Sequence, residues 1–179
     1  VINDVPIPEP GKDQFLVKIK SASLCHSDLM RLEQDQGPTT TLGHEGAGVI
    51  DKMHPSVEGK GFKIGDAIGF NYFINVCYAC DGCQVHNQNC ERSEMPYCQG
   101  FHVDGFFQEY VVVDYHNAVV LPPELDIRRA SPLFCAGITG ESGSWHTVFT
   151  RHYLVERFCV CKLIATADVY FSNTKRSTP

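Results

Sequence analysis

At 179 residues, 43% hydrophobic and 20% charged, the chain is long enough for one globular domain with a sizeable core, or for one domain and part of a second. A net charge of -6 argues against non-specific binding to nucleic acid or an anionic membrane surface, and no apolar run approaches a transmembrane span. No signal-peptide pattern opens the chain, so its nine cysteines imply a reducing, cytoplasmic setting, where cysteine clusters serve metals rather than disulfides.

The chain opens on Val1 rather than methionine, at strand-like density, and reads as a fragment lacking its original start. Pro6, Pro8, Pro10 and Gly11 make an extended, turn-ended approach. Gln14 to Lys20 then alternates, with Phe15, Val17 and Ile19 on one face, which predicts a strand. The polar stretch from Ser21 to Asp28 predicts a loop turning into a short helix, with Cys25 near its start. After a break at Gly37-Pro38, His44 and Glu45 stand among Gly43, Gly46 and Gly48, a pattern that packs backbone tightly with little side-chain bulk. Ala47 to Lys52 and Ala67 to Tyr72 predict strands, separated by the turn residues Gly59, Gly61, Gly65 and Asp66. Beyond a cysteine-rich segment, Phe106 to Val113 and Ala118 to Leu121 predict two more, the second ended by Pro122-Pro123. Asp126 is placed to cap a helix through Ala130. Many short strands, Gly-rich turns and few helices predict a mainly β fold, a β-barrel with short helices. From about Gly140 the character changes. Residues 1–140 carry 10 basic against 18 acidic residues, residues 141–179 carry 5 against 3, and no clean period survives there.

The cysteine-rich segment is the most legible chemistry. Cys77, Cys80 and Cys83 are spaced CxxCxxC, and Cys90 follows after six intervening residues. Two residues between cysteines let a tight turn bring both sulfurs to one point. The segment has almost no apolar run and cannot fold by burying side chains. Four thiolates around zinc would supply the core it lacks, and a closed tetrahedron is a structural site. Disulfides and unrelated free thiols are the alternatives, and the spacing and the reducing setting favour zinc over both.

Cys25, His44 and Cys135 are dispersed, and spacing alone does not link them. Buried thiols and a hydrogen-bonded core histidine would account for each. Their surroundings link them. Leu24-Cys25-His26-Ser27-Asp28, the segment from Leu42-Gly43-His44-Glu45 to Ile50, Gly61 to Asp66, the four-cysteine lobe, His102 to Tyr110 and Pro132 to Thr139 stand in the order found in one family. Over about residues 1–140 the chain resembles the catalytic, GroES-like domain of the zinc-dependent medium-chain alcohol dehydrogenases.

The resemblance implies a GroES-like β-barrel over residues 1–139, with a structural zinc lobe at 77–90, and a divergent tail over 140–179. It implies a second, catalytic zinc on Cys25, His44 and Cys135, with one position open for an alcohol or aldehyde oxygen. Hydride would pass to or from NAD or NADP in a complete enzyme, with a small-molecule alcohol or aldehyde as partner. By position, Ser27 would take the proton from the alcohol, Asp28 would orient His44, Glu45 would stand beside the metal, and His26 would meet the cofactor pyrophosphate. A turn hydroxyl, a helix cap, a salt bridge and an exposed histidine are the plainer roles for these four. Tyr72 and Phe73 would line the substrate pocket or pack in the core.

The chain also departs from the family. Met30 stands where many relatives carry a proton-passing histidine. The step from Cys83 to Cys90 is one residue short, with Cys98 a poorer fourth ligand, and Cys159 and Cys161 read as ordinary thiols. No Gly-x-Gly-x-x-Gly follows Cys135, and Gly137 to Gly143 reads as loop, so the dinucleotide-binding domain is expected to be missing and the tail to arise by truncation or frame shift. Two functions therefore compete: an alcohol dehydrogenase-like oxidoreductase domain, and a truncated zinc-binding domain without activity of its own. A zinc-ribbon nucleic-acid binder uses only the cysteine lobe and conflicts with the negative charge. The sequence chooses neither the alcohol, nor NAD against NADP, nor the oligomeric state.

Overall fold

A computed structural model describes residues 4–33, 41–85, 89–92 and 97–140. The stretches 34–40 and 141–179, which hold Gly37-Pro38, the expected tail, Cys159 and Cys161, lie outside the described residues.

Alternation of apolar and polar residues sets the first strand, β1 (Gln14–Ser23). Phe15, Leu16 and Val17 are all fully buried, so both faces of β1 are covered near its start. It lies between β2 (Glu45–Met53) and β6 (Tyr110–Asp114). β3 (Ala67–Phe70) and β7 (Ala118–Val120) complete a sheet ordered β6-β1-β2-β3-β7, with every neighbouring pair antiparallel. β4 (Phe73–Ile74) and β5 (Tyr97–Cys98) form a separate two-stranded sheet. The helices are short: α1 (His26–Glu33) and α2 (Asp81–Val85). The sheet-rich architecture expected from the sequence is present.

Three elements differ from expectation for identifiable reasons. β1 runs past Lys20 because Ser21, Ala22 and Ser23 pair with Ala47, Gly46 and Glu45, which also starts β2 earlier than Ala47. The strand expected from Phe106 begins only at Tyr110. The backbone N–H groups of Gly105, Phe106 and Phe107 instead donate to the carbonyls of Thr41, Gly43 and Leu42, at 2.7, 2.8 and 2.9 Å. The strand expected through Tyr72 breaks at Asn71, whose N–H donates to the Asn117 carbonyl at 3.0 Å and whose side chain accepts from the Tyr72 N–H at 2.6 Å. That break turns the chain out of the main sheet and into β4.

The main core is Phe15, Val17, Ile50, Val57, Ile68, Phe70, Phe106, Val111 and Val113. Phe70 and Phe106 meet edge-to-face at 5.0 Å, an arrangement their ring quadrupoles favour. A second cluster of Ala47, Leu121, Ala130 and Phe134 docks the segment after β7 against β2. There Asp126 caps as expected, accepting from the Arg128 N–H, but only a single 3-10 turn (Ile127–Arg129) follows. The chain then enters a second 3-10 turn (Ser131–Phe134) with Pro132 in its opening residues, where a missing N–H costs no helical hydrogen bond. Of the loop expected from Gly137 to Gly143, residues 137–140 belong instead to a helical turn over 136–140, in which the Thr139 N–H and hydroxyl both donate to the Cys135 carbonyl, at 3.0 and 2.8 Å. These local bonds outweigh the conformational freedom of Gly137 and Gly140.

Candidate functional site

Three separate segments build one cluster. Cys25 stands immediately before α1, and Asp28 in the first turn of α1 is fully buried. One Asp28 oxygen accepts from the Cys25 N–H at 2.9 Å. The other accepts from the Gly43 N–H at 3.1 Å and faces His44 Nδ1 at 3.0 Å. A buried carboxylate needs such donors to offset its lost hydration. The same contacts tie α1 to the loop before β2. With Nδ1 donating to Asp28, His44 is left with Nε2 as its ligating nitrogen.

The loop carrying His44 is held backbone against backbone. Gly43 adopts a φ of 96°, in the region that favours glycine, and its carbonyl accepts from the Phe106 N–H. A Cβ on Gly100 or Gly105 would stand only 2.5 or 2.1 Å from that carbonyl oxygen. Tyr72 meets the His44 ring edge-on at 5.3 Å, and Phe101 lies at 4.8 Å. Cys135 follows directly after Phe134, whose ring covers Gly69 so closely that a Cβ there would lie 1.7 Å from it.

These elements bring one ligand atom each from Cys25, His44, Glu45 and Cys135 to within 4.8 Å of one another. His44 and Glu45 are buried, at 1% and 3% exposure, and the two cysteines are half-buried. The Cys135 thiol and the His44 ring hold the Cys25 thiol down to about 3. The Cys25 thiolate in turn pushes Cys135 far above the thiol range. Burial opposes charge on His44, but hydrogen bonds with Asp28 and Cys25 raise it to about 9. Burial pushes Glu45 up, against a hydrogen bond from Ser23. Two thiols and a carboxyl therefore compete for a single imidazolium. A divalent cation is the partner that would let all four donate deprotonated. Two thiolates and an imidazole are a fitting donor set for zinc, and partial exposure leaves room for an incoming oxygen.

A second group, Cys77, Cys80, Cys83 and Cys90, also lies within 4.8 Å. The Cys77 and Cys80 sulfurs stand 3.8 and 3.4 Å from the Cys83 sulfur. A zinc tetrathiolate places its sulfurs roughly 3.8 Å apart, given Zn–S bonds of about 2.3 Å. The cysteines are free of disulfides. Backbone N–H groups of Cys77 and Glu91 point at the sulfurs of Cys90 and Cys80, both at 3.4 Å. The Glu91 N–H draws Cys80 down to about 6, the Cys77 N–H lowers Cys90, and desolvation pushes Cys83 up to about 12. The shortened step to Cys90 still reaches the cluster, and Cys98 stays outside it. Helix α2 carries Cys83, and Gly82 within it lies so close to the Asn89 carbonyl that a Cβ would stand 1.9 Å away.

The remaining sequence candidates divide. The Ser27 hydroxyl lies 3.9 Å from the Cys25 sulfur, beside the first cluster. His26 is exposed at the start of α1, and Met30 is 47% exposed. Tyr72 packs on both His44 and Phe73, and burial pushes its hydroxyl up to about 12. Glu45 joins the cluster, and it forms no salt bridge with a lysine or arginine among the described residues. Ser23 and Phe101 were not legible as site residues. Ser23 becomes one through strand register, and Phe101 could have been suspected only from adjoining the His102 to Tyr110 motif.

Residues 11–123 match the family model described as the alcohol dehydrogenase GroES-like domain. Cys135 lies beyond that span, and the tertiary structure brings it to Cys25 and His44. An alcohol dehydrogenase of Schizosaccharomyces pombe is 37% identical over 142 residues, covering 76% of this chain and 39% of that protein. Galactitol-1-phosphate dehydrogenase from Escherichia coli superposes with a TM-score of 0.69 at 30% identity, over 82% of this chain and 41% of the other. The alcohol dehydrogenase from Aeropyrum pernix gives 0.70 at 28% identity, over 84% and 45%. The chain thus spans about two fifths of the length of the relatives it matches. With the match covering more than half of its residues, the chain belongs to the alcohol dehydrogenase GroES-like domain family.

Proposed function

We propose that this chain supplies the catalytic domain of a zinc-dependent alcohol dehydrogenase, which interconverts a small alcohol and its aldehyde or ketone. The observation that carries the reading is the convergence of Cys25, His44 and Cys135, from three separate segments, on one half-buried point. Cys25, His44 and Cys135 would hold the catalytic zinc, and Cys77, Cys80, Cys83 and Cys90 the structural one. Bound there, zinc supplies Lewis acidity that eases loss of a proton from an alcohol hydroxyl and polarises a carbonyl in the reverse direction.

The chain's own residues do the rest. Asp28 fixes the His44 tautomer and ring orientation. Ser27, next to Cys25, takes the proton from the substrate hydroxyl. Met30 offers no proton acceptor, so the proton continues to water. Tyr72 and Phe101 pack their apolar rings beside His44 and limit water there. His26, exposed at the head of α1, is free to meet an anionic cofactor group. The proposed domain is assigned to residues 1–139, working in a reducing compartment where the thiols stay free.

A second reading, a zinc-binding domain that turns nothing over, draws on the pairing pattern. All named strand pairs among the described residues are antiparallel, whereas dinucleotide sites of this class use parallel βαβ units. Zinc analysis followed by titration with NADH and NADPH, then assay of primary alcohols, separates the readings. We expect two zinc ions and no measurable cofactor affinity for the chain alone. Saturable cofactor binding with turnover would establish the enzyme in this chain, and a single zinc ion would overturn both readings.

A further inference from the structure

Glu45 is a buried carboxylate with no lysine or arginine within ion-pair distance among the described residues. Its partner is the Ser23 hydroxyl, which donates to Oε2. The contact is set by the sheet. Ser23 and Glu45 are the terminal pair of the β1–β2 ladder, continuing the pairs Ser21 with Ala47 and Ala22 with Gly46. Register therefore places the hydroxyl, and the hydroxyl engages one oxygen of a carboxylate whose ligand atom stands with those of Cys25, His44 and Cys135. A carboxylate gripped by one oxygen offers a metal the other. One left ungripped can rotate, chelate through both oxygens or swing away.

We propose that Ser23 is a positioning residue that holds Glu45 as a single-oxygen fourth donor to the Cys25–His44–Cys135 site. This rests on the metal reading given above. Ser23 then sets how firmly Glu45 competes with water or a substrate oxygen for the fourth position. It touches neither substrate nor the other donors' hydrogen bonds to Asp28, so its effect passes through Glu45 alone.

Cobalt(II) in place of zinc reports the donor set directly through its visible absorption, without any need for turnover. The tetrathiolate lobe contributes equally to every variant and cancels in difference spectra. Ser23→Ala should shift the visible bands of the Cys25 site and weaken its metal retention against a chelator by about tenfold, the scale of one lost hydrogen bond to a charged group. Ser23→Thr, which keeps the hydroxyl on a residue suited to a strand, should restore both. Glu45→Gln should reproduce the spectral change, and adding Ser23→Ala to it should change nothing further. Two cobalt ions per chain with a Ser23→Ala spectrum superimposable on the parent would overturn the role of Ser23 and leave the metal site standing. Independent, additive effects of the two substitutions would do the same. Uptake of a single cobalt ion would overturn the metal reading and this role with it.

Discussion

The two candidate metal centres are built in opposite ways. The Cys77–Cys90 group is drawn from one short segment, and two of its sulfurs accept from backbone N–H groups at opposite ends of that same segment. The Cys25 group takes its donors from the residue before α1, the entry to β2 and the residue after the Ser131–Phe134 turn, more than a hundred residues apart at the extremes. The first needs a metal to have a core. The second is assembled by a sheet and a hydrophobic core that exist independently of it. A closed set of four thiols scaffolds, whereas a half-buried mixed set can admit a substrate oxygen.

The largest expected effect is loss of metal altogether. Chelation should unfold the lobe and leave the main sheet, because no lobe residue belongs to the main core. Hydrogen exchange should show amides of residues 77–92 losing protection while those of β1 and β2 keep theirs. Loss of protection throughout would show that the sheet also depends on metal.

Acid should empty both centres, since the donors bind deprotonated. The folded lobe depresses Cys80 from 9.0 to about 6, so that stabilisation is fully present above about 9 and is lost as pH falls through about 6. Cys83, pushed up to about 12 by desolvation, keeps its proton at neutral pH until a metal displaces it to solvent. Zinc release followed with a chromophoric chelator should therefore climb below about pH 6. A profile flat to pH 4 would contradict it.

Selective substitutions sharpen the contrast. Gly69→Ala places a Cβ inside the Phe134 ring and should displace Cys135 with it, at a cost of about 1–3 kcal/mol in stability. The chain should then bind one zinc in place of two, with the lobe still loaded. Two retained zinc ions would show that Phe134 can move without carrying Cys135. Asp28→Asn keeps the shape and removes the charge behind His44. It should weaken metal at the Cys25 site by about 10–100-fold without touching the lobe, a difference competitive chelation resolves. At the bottom of the scale, Met30→Ala on an exposed face of α1 should alter the metal content of neither centre.

Legibility in the sequence follows the same division. The lobe could be read from spacing because its donors are local, and Cys90 joined it despite a shortened step. β1, β2, β3 and β7 could be read because period-two alternation and glycine turns are local signals. The boundaries moved where distant partners intervened: Ser21 to Ser23 were recruited by β2, and Gly105 to Phe107 gave their N–H groups to the loop before His44. Cys135 was identified only through a resemblance of surrounding motifs, since nothing in its spacing points to Cys25 or His44.

The sequence by itself determined a sheet-rich domain, a four-thiol lobe and the residue types for a second metal site. The first two were legible from local patterns, alternation in the strands and spacing in the lobe, and the third from the motifs around each residue. The resemblance named Cys25, His44, Cys135 and Asp28 together, but only tertiary structure supplied their geometry, and it alone decided that Ser23 would grip Glu45. Those contacts depend on strand register, on the Gly43 carbonyl lying bare against Gly100 and Gly105, and on Phe134 seated over Gly69. Such close approaches arise only when distant backbones pack together, and no local pattern encodes them.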